Sequence, residues 1–262
     1  MLQANHMMTS GISERFHAKS AALLVSIESG LDRIMMSWLL LAGLASAARI
    51  AFSPIHGGLS ASGLLPYLLL ILAPFASMVL ALRWFADGDR FSQPEFRLAR
   101  VGRWRTIGSD AARRHALYGA GGLMVSLLVG MLINVPVRAV EYLAAMPAIS
   151  GRVPPWLTTL HLVMTLDVVL LTSLYSIAFV AALRRVPLFP RLLAAIWMVD
   201  LAMQLAIARF ATASGLPPSV GTALHGLLDG NVKKVLISVA LWVPYLLLSA
   251  RVNVTYRNRV PA

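Results

Sequence analysis

The strongest constraint on this chain is a set of six apolar stretches, each about 20 residues long, the length a helix needs to cross ~30 Å of hydrocarbon. They cover approximately 34–53, 63–85, 116–136, 157–182, 191–212 and 232–250. An unpaired segment crosses lipid only when it closes its own backbone hydrogen bonds, as an α-helix does. The sequence therefore predicts an all-α, polytopic membrane protein with six transmembrane helices.

The composition agrees with this prediction. Of the 262 residues, 58% are hydrophobic and 13% are charged, against ~25% charged residues in soluble domains. A net charge of +12 in a soluble protein would suggest a nucleic-acid partner. Here the charges lie between apolar stretches, so we expect membrane lipids as partners, with anionic headgroups at the cytoplasmic face, and no nucleic acid. The absence of cysteine excludes disulfides and thiolate sites.

The first apolar stretch has a second interpretation as a signal peptide. Ala45-Ser46-Ala47 resembles a small-residue cleavage site. The 33 residues before the stretch are too long for the charged leader of a signal peptide, and they include the acidic Glu28 and Asp32. We therefore favour a transmembrane helix.

The distribution of Lys and Arg predicts the orientation. With a cytoplasmic N-terminus, 17 of the 23 Lys and Arg residues fall on the inside, and eight of these arginines lie between residues 83 and 114. Both termini are therefore predicted to be cytoplasmic. The six cations assigned to the outside are Arg49, Arg138, Arg152, Arg209, Lys233 and Lys234.

The spans divide the chain into four parts. Residues 1–33 form an N-terminal cytoplasmic or interfacial segment, and 34–85 form a two-helix extension. An arginine-rich cytoplasmic loop follows at 86–115, and 116–258 form a four-helix membrane domain. In the N-terminal segment, the spacing of Ile12, Phe16, Leu23 and Ile27 suggests an interfacial helix.

The 86–115 loop contains a helix-start signal. Ser92-Gln93-Pro94-Glu95 resembles a capping box with proline in the first turn. Apolar and basic residues then recur with a spacing of three, which predicts an amphipathic helix over 93–105 lying on the lipid surface. The alternative is a solvated loop whose arginines only set the topology. The periodic residues are Leu98, Val101 and Trp104, beside Arg97, Arg100 and Arg103.

A motif closes the last span, reading W-x-P-Y and then S-x-R-V-x-x-T-Y. Its residues are Trp242, Pro244, Tyr245, Ser249, Arg251, Val252, Thr255 and Tyr256. The motif resembles the C-terminal signature of a bacterial inner-membrane family catalogued as domain of unknown function 2569. Arg184-Arg185 before Phe189-Pro190 also resembles its basic turn. The resemblance covers about 116–258 and implies a multi-pass protein of the bacterial inner (cytoplasmic) membrane, with no catalytic residues to carry over.

Small and polar residues mark two helix faces. Small residues at a spacing of four let membrane helices approach closely, so the third span is predicted to have a helix-packing face. This face consists of Gly122, Ser126, Gly130 and Asn134. The last span has a similar stripe, which either packs inward or lines a cavity. That stripe consists of Ser238, Trp242, Tyr245 and Ser249.

Two aspartates lie near the middle of neighbouring spans. Asp167 and Asp200 reach the same depth if the fourth and fifth spans are antiparallel, and Gln204 shares the Asp200 face. Ionisable groups at this depth are expensive unless paired, which makes them functional candidates. We expect the two carboxyls to face each other and share one proton. A structural role, holding helices together, is the alternative.

Enzyme signatures are weak. Ser150-Gly151 is a poor match to the serine motif of intramembrane proteases, and the last span has no histidine to act as its base. The six histidines lack metal-ligand spacing, and no phosphate-binding glycine loop occurs. We therefore expect no catalytic residue, cofactor or metal. The favoured function is a structural or accessory membrane component that packs against lipid or another membrane protein. The alternative is a small proton-linked transporter using Asp167 and Asp200.

The predicted orientation is testable because the chain has no cysteine. In intact cells, a cysteine introduced at Ala61 should react with an impermeant thiol reagent, because this loop is predicted to lie outside. A cysteine introduced at Ser109 should react only after the cells are opened. The reverse labelling pattern would contradict the predicted orientation.

Overall fold

The computed structural model describes residues 18–53, 61–95, 101–149, 153–213 and 215–262. Within these residues, six helices are long and apolar enough to cross a membrane, which confirms the predicted number of candidate spans. These are α2 (Leu31–Ala51), α3 (Ala61–Trp84), α5 (Leu123–Ala145), α6 (Pro155–Leu183), α7 (Phe189–Ala213) and α8 (Pro218–Leu248). Shorter elements flank them: α1 (18–29), a 3-10 turn (Gly88–Arg90), β1 (Trp104–Thr106), α4 (Ser109–Arg113), α9 (Ala250–Arg257) and β2 (Arg259–Pro261).

The third span differs most from its predicted position. It was predicted at 116–136, but α5 starts at Leu123 and ends at Ala145. It starts late because Gly122 has φ 65° and ψ −138°, a conformation that only glycine adopts readily. It continues through Pro136 because membrane helices tolerate an internal proline. Arg138 therefore lies inside a span, and its predicted place in an outer loop is wrong.

The last span also begins earlier than predicted. It was predicted at 232–250, but α8 starts at Pro218, where the missing N–H and fixed φ of proline suit a first turn. Lys233 and Lys234 consequently lie within α8 rather than in a loop.

Helix α6 is the centre of the bundle. It packs against α3, α5 and α7, and most of its side chains between Leu160 and Leu183 are buried. Helix α2 packs on α3 and α5, and α8 packs mainly on α7. Helices α5 and α8 do not pack closely together. A cleft therefore opens between α5 and α8.

The starts of α5 and α7 and the ends of α3, α6 and α8 meet at one end of the bundle, here called the arginine-rich end. Helix α9 holds the end of α6 and the turn before α5 together through hydrogen bonds. The Tyr256 hydroxyl is buried and donates to the Ala182 carbonyl at the end of α6, at 2.8 Å. The Arg251 guanidinium donates to the Leu117 carbonyl at 3.3 Å, and Thr255 Oγ1 accepts from the Gly119 amide at 3.0 Å.

The family-like motif thus has a structural explanation within this chain. Ser249 caps α9 by accepting from the Val252 amide, and Val252 is fully buried. The Trp242 and Tyr245 rings form an edge contact at 5.8 Å on either side of Pro244 in α8. The motif residues therefore connect the last span to the turns before α5 and after α6.

The opposite end of the bundle is held by the last turn of α2 and by Ser53 just after it. Arg49 Nε donates to the Met146 carbonyl at 2.9 Å, and Ser53 Oγ accepts from the Ala148 amide at 3.1 Å. The loop after α5 is therefore attached to the end of α2.

The amphipathic helix predicted over 93–105 is wrong in its described parts. Residues 92–95 are not helical, Gly102 has a positive φ of 90°, and Trp104–Thr106 form β1. Strand β1 pairs antiparallel with β2, which places Arg105 opposite Val260. This distant partner satisfies backbone groups that a helix would have satisfied locally. Residues 96–100, with Leu98, Arg97 and Arg100, lie outside the described residues.

The predicted N-terminal helix is present where the structure describes it. Helix α1 includes Leu23 and Ile27, and Ile27 is buried in the core. Ser20 of this helix accepts from the Gly122 amide at 3.2 Å, so α1 packs at the start of α5. Ile12 and Phe16 lie outside the described residues.

Gly88 allows the turn after α3 to pack against the turn between α6 and α7. A Cβ atom at Gly88 would lie 2.6 Å from Val186 Cγ2 and 2.9 Å from the Arg184 carbonyl oxygen. We predict that Gly88→Ala lowers the free energy of unfolding by about 1–3 kcal/mol, the usual cost of overpacking. Thermal unfolding in detergent measures the effect. The control is Gly108→Ala, because no atom lies within 4 Å of its Cβ position. Equal unfolding temperatures for both variants would contradict the close approach at Gly88.

Candidate functional site in the membrane bundle

Three charged residues meet inside the bundle and are here called the ionic cluster: Arg138, Asp167 and Asp200. Arg138 Nη2 is hydrogen bonded to Asp200 Oδ2, and Arg138 Nη1 lies 3.7 Å from Asp167 Oδ2. The side chains of Asp200, Asp167 and Arg138 are only 0%, 8% and 10% exposed. One guanidinium therefore contacts both buried carboxylates.

Helix geometry explains why these residues meet. Counted from the opposite end of the bundle, Asp167 lies about 18 Å along α6 and Asp200 about 20 Å along α7, at ~1.5 Å per residue. Arg138 lies only about 10 Å from the same end of α5. Side chains on a helix lean toward its N-terminus, which for α5 is the arginine-rich end. The long Arg138 side chain therefore extends from its shallower backbone position to the depth of the aspartates.

Amide and phenol groups complete the hydrogen bonding of the carboxylates. Gln204 Nε2 donates to Asp167 Oδ1 at 3.2 Å and lies 3.4 Å from Asp200 Oδ1. The Tyr175 hydroxyl donates to Asp200 Oδ2 at 3.2 Å, and its ring centroid lies 5.7 Å from Arg138 Cζ. Asp200 thus has a partner on α5, on α6 and on its own helix, as a buried carboxylate requires.

A chain of polar groups leads from the ionic cluster to the surface. Asn231 of α8 donates to Gln204 Oε1 at 3.3 Å, and Lys234 Nζ donates to Asn231 Oδ1 at 3.4 Å. Lys234 is also paired with Glu141 of α5. The side chains of Lys234 and Glu141 are 57% and 32% exposed. Polar atoms therefore run without a break from the buried carboxylates to this exposed ion pair, which also bridges the cleft.

The cleft between α5 and α8 reaches the ionic cluster. It encloses about 130 Å³ and has both polar and aromatic walls. Its lining includes Asn134, Arg138, Trp197, Asp200, Ser238 and Trp242. Arg138 Nε is buried and has no hydrogen-bond partner among the described residues. The cleft thus places open space with partly polar walls directly beside the ionic cluster.

A larger cavity of about 590 Å³ lies between α2, α3 and α5. Apart from Arg33, Ser37 and Ser176, the side chains around it are apolar. It lacks the paired charges of the ionic cluster and offers little chemistry, so the cleft is the candidate site.

The structure brings together the three residues predicted for the polar site. Asp167, Asp200 and Gln204 lie in one hydrogen-bonded group, and the two aspartates face the same cation. Arg138 was missed because the predicted third span ended two residues before it. Asn231, Tyr175 and the Lys234–Glu141 pair were also missed. The sequence did contain one signal for Arg138 and Glu141. They are three residues apart, so both lie on one face if the third span continues as a helix past its predicted end.

The two predicted stripes of small and polar residues contribute to the cleft. Gly130 and Asn134 line it from α5, and Ser238 and Trp242 line it from α8. The structure thus favours the cavity alternative for Ser238 and Trp242. Ser126 and Gly130 remain exposed, so the predicted helix-packing face is not covered within the described chain. Gly122 lies in the turn before α5 instead.

A second polar group lies nearer the opposite end. The Tyr142 hydroxyl lies 2.8 Å from Thr165 Oγ1 and 3.4 Å from His161 Nε2, all on α5 and α6. These groups satisfy one another within the bundle. The described residues contain no group of three potential metal ligands.

The ionic cluster contains two acidic groups and one basic group. If both carboxyls were ionised, they would face one guanidinium with one excess negative charge. Lys234 and Glu141 neutralise each other. A net charge inside hydrocarbon is unfavourable by several kcal/mol, so the cluster favours one additional proton or cation. The proton that Asp167 and Asp200 are predicted to share stays a prediction. The structure adds that Arg138 contacts both carboxyls.

The chain matches no protein-family model, no curated protein and no solved structure. The resemblance of its C-terminal motif to the family named above therefore stays a prediction.

Removing Arg138 should destabilise the bundle strongly. Arg138→Met leaves two buried carboxylates without a cation, and we expect the free energy of unfolding to fall by about 3–5 kcal/mol. Adding Asp167→Asn and Asp200→Asn to the same chain should restore most of the loss, because no charge is then stranded. Thermal unfolding in detergent compares these variants with Arg83→Met, which removes an exposed arginine. Equal losses in the single and triple variants would show that Arg138 does not stabilise the protein through these carboxylates.

Proposed function

We propose that this protein is a small proton-linked membrane transporter in which the ionic cluster binds the proton and the α5–α8 cleft admits a small polar solute. The observation that supports this most directly is that two buried carboxyls share one guanidinium at the end of a polar cleft. A purely structural ion pair needs neither a second carboxyl nor an open cleft beside it. Ionisable groups held inside a membrane bundle commonly mark ion and proton pathways.

The proposed cycle uses the excess charge. With one proton bound, the cluster is neutral and stable in the bundle. When the proton leaves, the cluster regains its negative charge and attracts a cation or a solute carrying a positive group. The aromatic rings of Trp197 and Trp242 in the cleft wall suit such a group, because cations are attracted to aromatic faces. The polar chain from Gln204 to Glu141 gives a departing ion a path that avoids hydrocarbon.

We further propose that the arginine-rich end faces the cytoplasm, with both termini on that side, in the bacterial inner membrane. The excess of arginine at this end supports the orientation through the positive-inside tendency. The positions of Arg138, Lys233 and Lys234 within helices strengthen it, because they no longer count as outer-loop charges. The resemblance of the Trp242–Tyr256 motif to a bacterial inner-membrane family supports the location. Anionic lipid headgroups are the expected partners of these arginines.

An accessory role in packing against another membrane protein is the second candidate. The supporting observation is the exposed face of Ser126 and Gly130 on α5. Small residues at this spacing allow a partner helix to approach closely. In that role the ionic cluster holds α5, α6 and α7 together and has no need to exchange protons.

Infrared difference spectroscopy of the protein in neutral lipid distinguishes the two candidates. We predict that a carboxylic acid C=O band appears and disappears as pH is varied, and that Asp167→Asn and Asp200→Asn each abolish this titration. The control is Asp229→Asn, which removes an exposed carboxylate paired with Lys233. The control should titrate like the wild type. A cluster whose band does not change over the pH range in which the protein stays folded would contradict proton-linked transport.

The thermal stability of Asp167→Asn and Asp200→Asn is a second test. A single Asp→Asn change removes the excess charge but leaves one carboxylate paired with Arg138. We therefore expect both Asn variants to unfold at temperatures equal to or above that of the wild type, although they no longer exchange the proton. A large loss of stability in both would favour a structural role for the cluster.

A further inference from the structure

A second cluster of charge lies at the arginine-rich end, away from the ionic cluster. Arg191 near the start of α7, Arg257 at the end of α9 and Arg259 in β2 line one cavity of about 80 Å³. Gln93, Thr106 and Asn258 complete much of its wall. The strand pairing of Thr106 with Arg259 brings the 86–115 loop and the C-terminal residues to this cavity. Three cations from separate elements therefore converge on one space.

Arg257 is buried in this group without an acidic partner among the described residues. Arg257 is only 8% exposed. Its Nη1 donates to Asn253 Oδ1 at 3.2 Å, whereas its Nη2 is buried and has no hydrogen-bond partner among the described residues. No described carboxylate forms a salt bridge with Arg257. A buried guanidinium without a counter-ion is strongly unfavourable, because its desolvation is not offset by an opposite charge.

The charges around Arg257 also make its buried guanidinium unfavourable. Burial, together with the charges of Arg259 and Arg191, lowers the pKa of Arg257 to about 10. The neighbours therefore repel the charged form of Arg257 rather than stabilise it. A multiply charged anion in the cavity would reverse this effect for all three cations.

We propose that Arg191, Arg257 and Arg259 form a binding site for a phosphate group. Guanidinium groups bind phosphate through paired, charge-assisted hydrogen bonds, for which their planar fork is suited. A single water needs ~10–15 Å³ of such space, so a cavity of about 80 Å³ holds a group with several oxygens. The phosphate group belongs either to a lipid headgroup or to a soluble ligand.

Binding there would join elements that are distant in sequence. Arg191 belongs to a membrane span, whereas Arg257 and Arg259 belong to the segment after the last span. A bound phosphate group would hold the start of α7 against the C-terminal segment and the β1–β2 pair. This site is independent of the proposed transport function, because it shares no residue with the ionic cluster or the cleft.

The first test uses inorganic phosphate and the full chain in neutral detergent. We expect phosphate to raise the thermal unfolding temperature in a saturable manner, beyond the effect of chloride at equal ionic strength. Arg257→Gln should weaken the apparent phosphate affinity about tenfold or more, since it removes charged hydrogen bonds. The matched control is Arg105→Gln, which removes an exposed arginine from the neighbouring strand β1 outside the cavity. The control should respond like the wild type.

A second arm separates the two sources of phosphate. The protein is placed in nanodiscs of phosphatidylcholine with or without phosphatidic acid, and unfolding is measured again. Stabilisation by inorganic phosphate in detergent indicates a soluble ligand, and stabilisation by phosphatidic acid alone indicates a lipid headgroup. If both stabilise, phosphate should compete with the lipid. If neither stabilises the wild type, or if Arg257→Gln responds as the wild type does, the proposal is wrong.

The stability of the Arg257 variants in the absence of phosphate is an independent test of the proposal. Arg257→Gln removes a buried charge that has no counter-ion in the part of the chain that the structure describes, so without phosphate the variant should be at least as stable as the wild type. Arg257→Lys keeps the charge but loses the paired geometry, so it should bind phosphate more weakly than the wild type without gaining stability. An Arg257→Gln variant that fails to fold would contradict the proposal, because it would show that the arginine has a structural role.

Discussion

The contact of one guanidinium with two buried carboxylates is the interaction on which the interior of this bundle depends. Apolar surfaces alone do not fix how membrane helices slide or rotate against one another, because lipid is as apolar as the side chains. Arg138 removes that freedom for α5, α6 and α7, since only one register lets its two Nη atoms reach Asp167 and Asp200. Gln204 and Asn231 extend the same constraint to α8. The cleft exists because α8 is attached to α7 and bridged to α5 through polar groups rather than packed closely against α5.

The six spans could be predicted because every backbone group in hydrocarbon must be satisfied within its own helix, which leaves a hydropathy signal in the sequence itself. Their ends were less predictable. The start of α5 depends on the conformation of Gly122, and its continuation depends on tolerance of Pro136, neither of which is a matter of hydropathy. Because the third span was predicted to end at residue 136, Arg138 was assigned to a loop. The two aspartates were therefore recognised without the cation that contacts them. The strands β1 and β2 were missed for another reason: their partners are about 155 residues apart, and local periodicity contains no information about distant pairing.

Two groups of charged residues in this protein differ in sign. The ionic cluster has two carboxyls for one guanidinium, and Arg191, Arg257 and Arg259 line one cavity. Each group is surrounded by protein rather than by bulk water, so solvent screens it weakly. In the two proposals made above, the ionic cluster therefore binds a proton or cation, and the arginine cavity binds an anion. The net charge of +12 conceals this division, because it sums over exposed and buried groups alike.

The pairing of β1 with β2 has a consequence for the order of biosynthesis. Strand β1 lies between the second and third spans, but its partner follows the sixth. A ribosome making this chain releases β1 early, and the strand then has no partner until residues 259–261 emerge. The same delay applies to the cavity, because Arg257 and Arg259 are synthesised after all six described spans. Residues 259–261 thus pair with a loop made before the third span, and the arginine-rich end of this bundle is completed only after its sixth span has been made.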